Sequence, residues 1–130
     1  MREIAGLLEV ERLIGRISRD QTGLSLSLSG FQRLRECRLH GEPRDERVIS
    51  RFDLVIESSR RTPPCCLRLT LRSVRDLSLS NACVGSTTSG LALTDISDRH
   101  WDRVSWELHD VESSMIHCYA DEAEIVLESQ

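Results

Sequence analysis

From residue 22 onward, apolar and polar residues alternate along most of the chain, and this period of two limits the available folds. Leu24, Leu26 and Leu28 alternate with serines, and the stretch 65–72 repeats the pattern with leucines and arginines. Successive side chains of a β-strand point to opposite faces, so the alternation predicts half-buried strands. Strands of buried parallel sheets read instead as continuous apolar runs. We therefore expect antiparallel sheets, each with one polar face.

Polar turns interrupt the alternation at spacings of roughly 8–12 residues. They include a charged turn centred on Pro43, the segment SRRTPP at 59–64 and the small-residue loop VGSTTSG at 84–90. About eight or nine short strands result, which is typical of an antiparallel β-sandwich or a partly open barrel. The predicted fold class is therefore mainly β, in a single domain that covers residues 1–130.

Two finer predictions concern how the strands are placed. In VISRFDLVIES, at 48–58, Val48, Phe52, Leu54 and Ile56 are predicted to face the core. The last three strands, within 103–110, 115–120 and 123–129, are predicted to form a meander of neighbouring antiparallel strands.

The N-terminal segment 1–20 has a different pattern. Its apolar residues recur at spacings of three and four, which predicts one amphipathic helix over 2–17. Gly6 and Gly15 each weaken that helix by roughly 1 kcal/mol relative to Ala. A strand over 7–18 fits the same residues, so the segment is either helical, extended or irregular.

The composition favours a cytoplasmic protein without a membrane span. No run approaches the ~20 apolar residues that such a span needs, and charged residues near the N-terminus interrupt any secretory signal. The five cysteines are an odd number without repeating spacing, unlike a disulfide scaffold. We expect reduced and mostly buried thiols.

Charge is distributed unevenly along the chain. Residues 1–75 contain 15 Arg and 10 carboxylates, whereas residues 76–130 contain 2 Arg and 11 carboxylates. We expect the outward arginines to pair across strands with Asp53, Glu57 and the acidic C-terminal strands. Aromatic residues rarely accompany these arginines, so nucleic-acid binding is not predicted.

The acidic segment is the strongest candidate for a binding site, since beyond Arg103 it contains no base that could pair with it locally. A face of this kind steers a basic partner protein. The candidate partner-binding residues are Glu107, Asp110, Glu112, Asp121, Glu122 and Glu124.

The stretch WDRVSWELHD, at 101–110, offers a competing hypothesis. Its polar side chains Glu107 and His109, together with Asp110, are the residue types of a small acid–base enzyme. No nucleophile motif accompanies them, so we interpret Glu107 and His109 as the solvated face of a strand whose Trp106 lies inward. His109, His117, Cys118 and Asp121 do not match zinc spacing, because neighbours on a strand point to opposite faces. No catalytic residue, metal or cofactor is predicted.

A family resemblance adds a functional expectation. The segments GFQRLRECRLHG, RFDLVIES, a Pro-Pro turn and LRLTLRSVRDLSLSN follow one another in this chain. Over roughly residues 8–128, this strand order and the run L-x-L-x-x-V-x-x-L-x-L resemble the immunity protein 50 family of small bacterial domains in polymorphic toxin systems. The resemblance implies a cytosolic protein that binds and blocks a toxin domain, without catalysis of its own.

Three functions therefore remain open at the level of the sequence. The first is a non-enzymatic immunity protein with an acidic C-terminal docking face. The second is a structural module that forms a homodimer through exposed strand edges. The third is a small enzyme around His109, Glu107 and Asp110.

Overall fold

The computed structural model describes residues 4–6, 8, 17–20, 23–28, 31, 33–58, 65–80, 87, 90–99, 104–110 and 115–129. Most of the predicted helix 2–17 therefore lies outside the described residues, as does Glu112. Over the part of the chain that is described, no helix combines the length and the apolar character needed to cross a membrane.

Antiparallel strands dominate the structure, as the alternation predicted. Their bounds are β1 Ile17–Asp20, β2 Gly23–Ser27, β3 Arg33–Arg44, β4 Arg47–Glu57, β5 Cys65–Arg72, β6 Arg75–Leu79, β7 Leu91–Asp95, β8 Trp106–Asp110, β9 Ile116–Ala120 and β10 Glu122–Ser129, with a short 3₁₀ helix at Ser97–Arg99. They form a six-stranded sheet in the order β1-β2-β7-β8-β9-β6 and a four-stranded sheet in the order β10-β5-β4-β3. The predicted mainly β, sandwich-like architecture is confirmed.

The core combines the inward apolar residues of both sheets in one cluster. Leucine and isoleucine supply most of it, and Trp106 and Phe52 are its largest fully buried side chains. The inward positions follow the sequence alternation on most strands, since Leu67, Leu69 and Leu71 are fully buried. Period two therefore identified the core-facing residues of these strands correctly.

The predicted meander of the last three strands is wrong, because the chain changes sheets between β9 and β10. β9 pairs with β8, whereas β10 pairs with β5 on the opposite sheet. The crossing is fixed at Asp121, whose backbone N–H donates to the carbonyl of Arg72 over 3.0 Å. This crossing places the acidic last strand beside strands from the arginine-rich first half.

The hairpin between β3 and β4 differs from the sequence prediction in two ways. Its turn is formed by Asp45 and Glu46 rather than around Pro43, and Asp45 has a φ of 56°. Val48 does not face the core as predicted but is 70% exposed. The reason is that β4 extends beyond the end of β5, since the pairing of the two strands begins only at Arg51.

Part of the N-terminal segment adds to the free edge of β10. Ala5 forms a parallel bridge with Glu124, and its carbonyl accepts the Ile125 N–H over 2.8 Å. Gly6 follows with a φ of 84°, and a Cβ at this position would lie 1.8 Å from the Ile125 carbonyl oxygen. Glycine is therefore required here by both conformation and close approach.

Candidate functional site

Strand β8 places the candidate residues on two faces. Trp106 and Leu108 are in the core, as predicted, and Glu107 and His109 point outward. Asp110 lies on the core side of the strand and is 3% exposed. The three residues of the enzyme hypothesis therefore do not converge on one site, because alternation separates Asp110 from the other two.

Glu107 is the centre of a polar cluster on the outer face of the six-stranded sheet. Its carboxylate lies 2.8 Å from His117 Nε2 and 3.9 Å from Arg99. The rings of His117 and Tyr119 meet edge to face at 4.9 Å. Burial, with the nearby Glu107 charge, raises the pKa of Tyr119 above its ordinary value. The cluster is half-buried, so the face predicted to be fully solvated is partly covered.

His109 belongs to a separate hydrogen-bonded row. Its Nε2 lies 3.4 Å from the Thr94 hydroxyl, which in turn lies 3.2 Å from the Ser25 hydroxyl. His117 points outward while its neighbour Cys118 is fully buried, as the alternation predicted. Among the described residues, no three His, Cys, Asp or Glu side chains are grouped as ligands of one metal ion.

The outer face of the four-stranded sheet carries a network of cross-strand ion pairs. Arg68 bonds Glu36 at 2.9 Å and Glu128 at 3.1 Å, so one guanidinium spans the sheet from β3 to β10. Arg35 bonds Glu57 at 2.8 Å. These contacts confirm that arginines of the first half pair with Glu57 and with the acidic last strand.

Asp53 is the most buried acid of this network. Its carboxylate lies 2.6 Å from His40 Nε2, accepts the Thr70 hydroxyl at 2.8 Å and pairs with Arg51 at 3.0 Å. Burial alone raises a carboxyl pKa, but these hydrogen bonds and the Arg51 charge hold the pKa of Asp53 below its ordinary value. Asp53 is therefore an ionised, structural carboxylate.

Three of the predicted partner-binding carboxylates come together at the start of β10. Glu122 bonds Arg44 at 2.6 Å, Glu124 bonds Arg72 at 3.2 Å, and Asp121 precedes them at the sheet crossing. These partners are distant in sequence, since Arg44 comes from β3 and Arg72 from β5, as expected for a segment that has no base of its own. The side chains of Glu122 and Glu124 nevertheless remain 42% and 40% exposed, respectively.

A groove of about 460 Å³ runs between these groups. It is lined by Ala5, Arg44, Arg72, Trp106, Asp121, Glu122, Ala123 and Glu124. We call this the acidic groove and take it as the candidate functional site. Glu107 and Asp110 lie on the other sheet and are not part of it. Sequence reasoning missed Arg44 and Arg72 as site residues, because only the sheet order brings them to β10.

No protein-family model, no curated protein and no solved structure matches this chain. The fold itself defines the class, which is a sandwich of two antiparallel sheets.

None of the described cysteines forms a disulfide, and burial controls their reactivity. Cys118 is fully buried, and the loss of solvation raises the pKa of its thiol to about 12. Burial also raises the pKa of Cys66 and of Cys37. Because the thiolate is the reactive form, we expect the two buried thiols, Cys66 and Cys118, to resist a thiol reagent at pH 8 in the folded protein.

Mass spectrometry after brief alkylation, with and without denaturant, measures this resistance residue by residue. Cys65 serves as the comparison, because it is only partly buried. Rapid labelling of Cys118 in the native state would contradict its place in the core.

Proposed function

We propose that this chain is a non-enzymatic binding protein that acts as an immunity protein, and that a basic toxin domain docks on the acidic groove. The convergence of Asp121, Glu122 and Glu124 around one open groove carries the proposal. Carboxylates held on a rigid sheet present negative charge in a fixed arrangement, which favours a basic partner and speeds its association.

The ion pairs inside the groove are compatible with this role. Arg44 and Arg72 hold the two glutamates in place but leave part of each carboxylate exposed to solvent. A carboxylate accepts several hydrogen bonds, so a partner's Lys or Arg can bind the free lone pairs without breaking the internal contact. The side chains then lose little conformational entropy on binding, because they are already ordered.

Two further features support an intracellular binding protein over the other hypotheses. None of the described cysteines is in a disulfide, as expected in the reducing cytoplasm. The residues of the enzyme hypothesis lie on opposite faces of β8, which gives that hypothesis less geometric support. The homodimer hypothesis is tested in the same experiment by measuring the oligomeric state of the chain without the toxin domain.

The experiment is a co-expression and binding test against a panel of basic bacterial toxin domains. Glu122→Lys with Glu124→Lys is expected to weaken capture at least tenfold and to abolish growth rescue, because like charges then meet at the interface. Glu36→Lys with Glu128→Lys is the matched control, since both glutamates are similarly exposed and also pair with an arginine. Thermal unfolding confirms that both double variants fold.

Equal affinity of the groove variant and the control variant for the toxin domain would place the interface elsewhere and overturn the proposal. If the charge-reversed groove variant does not fold, Glu122→Gln with Glu124→Gln removes the charge while keeping the shape. This second variant is also expected to weaken capture of the toxin domain.

A further inference from the structure

The β3–β4 hairpin leaves one side of β4 without a neighbouring strand. β4 pairs with β3 from Arg47 onward, but β5 reaches only as far as Arg51. At Ser50 the carbonyl is already bonded to the Ser73 N–H over 2.8 Å. In the described part of the chain, no strand pairs with the open side of residues 47–49. Alternate residues of a strand direct their N–H and C=O groups to the same side, so the groups of this stretch that point away from β3 can accept a further extended segment.

This open side faces a second groove of about 310 Å³. The groove is lined by Arg44, Arg47, Val48, Ile49, Ser50, Ser73, Val74, Arg75 and Asp121. We call it the hairpin groove. Its volume lies at the low end of the range for ligand pockets, which suits a few residues of an extended chain.

Positive charge predominates along the hairpin groove. It has three arginines against one carboxylate, that of Asp121. Arg47 and Arg75 are exposed and have no carboxylate partner among the described residues. The chain as a whole has a formal charge of −4, so this surface stands out against its surroundings.

Two pairs of arginines face each other across neighbouring strands, and one of the pairs is bridged by a carboxylate. Arg51 and Arg72 face each other across β4 and β5, and Glu42 bridges them with contacts of 3.0 and 2.8 Å. Arg44 and Arg47 likewise face each other across the hairpin. Arg44 binds Glu122, but no carboxylate of the described residues bridges the pair. Facing like charges are destabilising, so an added carboxylate would lower the repulsion there.

An apolar contact accompanies these charges. Val48 is 70% exposed on the hairpin and lines the same groove as the partly buried Val74. Val74 is held in place by Ser50, whose hydroxyl accepts the Val74 N–H at 2.7 Å and donates to its carbonyl at 3.1 Å. Val48 and Val74 thus form an apolar surface with arginines around it. Such a surface suits an extended segment in which acidic and apolar residues alternate, because alternate side chains of a strand point to opposite faces.

We infer that the hairpin groove binds a short, extended, acidic peptide segment of a partner protein, which adds as a strand beside residues 47–49 of β4. Carboxylates of the segment bind Arg47 and Arg75, and an apolar side chain covers Val48. This inference goes beyond the acidic groove, because it concerns the β3–β4 hairpin and a ligand of opposite charge. The two grooves adjoin and share Arg44 and Asp121 in their linings. The two proposals are therefore tested with substitutions that belong to one groove only, Glu122 and Glu124 for the first and Arg47 and Arg75 for the second.

The test is a fluorescence titration of the whole chain with labelled eight-residue peptides. The first alternates Glu with Val, the second alternates Lys with Val, and the third replaces the central residues of the first with Pro. We expect saturable binding of the acidic peptide, binding at least tenfold weaker for the lysine peptide, and a similar loss for the proline peptide. Proline removes the N–H groups that a paired strand must donate.

Substitutions on the protein locate the site. Arg47→Glu with Arg75→Glu is expected to weaken binding of the acidic peptide at least tenfold, and Arg38→Glu to change it less than twofold. Arg38 is a suitable control, because it is an exposed β3 arginine without an ion pair among the described residues and lies outside the hairpin groove. Circular dichroism verifies that the variants fold.

Two results would overturn the inference: binding that responds equally to the Arg38 and Arg47/Arg75 variants, or no saturation by the acidic peptide at millimolar concentration. Competition by inorganic phosphate at low millimolar concentration, with equal affinity for the proline peptide, would show a simple anion site instead. That outcome also rejects strand addition.

Discussion

Trp106→Ala is expected to lower the free energy of unfolding by about 3–5 kcal/mol, through lost burial and the cavity that remains. Trp106 is only 1% exposed and is the largest of the fully buried side chains. Its partners on the neighbouring strands are Ala120 and Asp95, and neither side chain is large enough to fill the space. A loss of this size is a large part of the stability of an ordinary domain.

Urea denaturation followed by circular dichroism measures this loss as a shift of the midpoint. His109→Ala is the matched control on the same strand, because its side chain points outward and makes one long hydrogen bond, of 3.4 Å. We expect that control to change stability by no more than about 0.5 kcal/mol. Comparable effects of the two substitutions would mean that the faces of β8 are assigned incorrectly.

Asp53→Ala is expected to have the second-largest effect, about 1–3 kcal/mol, because it leaves the buried Thr70 hydroxyl without its acceptor and removes the carboxylate that lies between His40 and Arg51. The carboxylate is 5% exposed and joins β3, β4 and β5 through His40, Arg51 and Thr70. Glu36→Ala removes an exposed ion pair on the same face and is expected to cost less than about 1 kcal/mol. Thermal or urea unfolding of the two variants makes the comparison.

The same carboxylate makes stability depend on pH in acid. Because folding lowers the pKa of Asp53, the folded state binds its proton less readily than the unfolded state does. Its contribution is complete above the unfolded pKa of about 3.9 and is lost as the pH falls through the folded pKa. Stability of the native sequence should therefore fall below about pH 4 more steeply than that of Asp53→Asn. Parallel profiles for the two proteins would rule out this role.

The alternation of the sequence predicted the local structure well where strands are regular. Leu26 and Leu28 are buried opposite exposed or half-buried serines, and Leu67, Leu69 and Leu71 lie in the core. A simple period of two does not describe β3, where a register shift between Leu34 and Glu36 changes the side on which later residues lie. Such a bulge inserts one residue into the pattern without a strong sequence signal.

The candidate site was only partly predictable for a related reason. Asp121, Glu122 and Glu124 could be selected as an acidic segment, because charge is visible in the sequence. Their partners Arg44 and Arg72 are 78 and 52 residues away from the glutamates that they bind. Contacts of this kind depend on strand order, which the alternation does not determine.

The sequence by itself determined the fold class, the inward face of most strands and the presence of a basic first half and an acidic last part. These properties are local, since they depend on the period of two and on composition. Tertiary structure alone decided that β10 crosses to the opposite sheet, where its carboxylates meet the arginines of β3 and β5. It also decided that β4 extends past β5 and exposes Val48. Both outcomes depend on which strands pair and where each pairing ends, which are long-range properties that no stretch of sequence specifies alone.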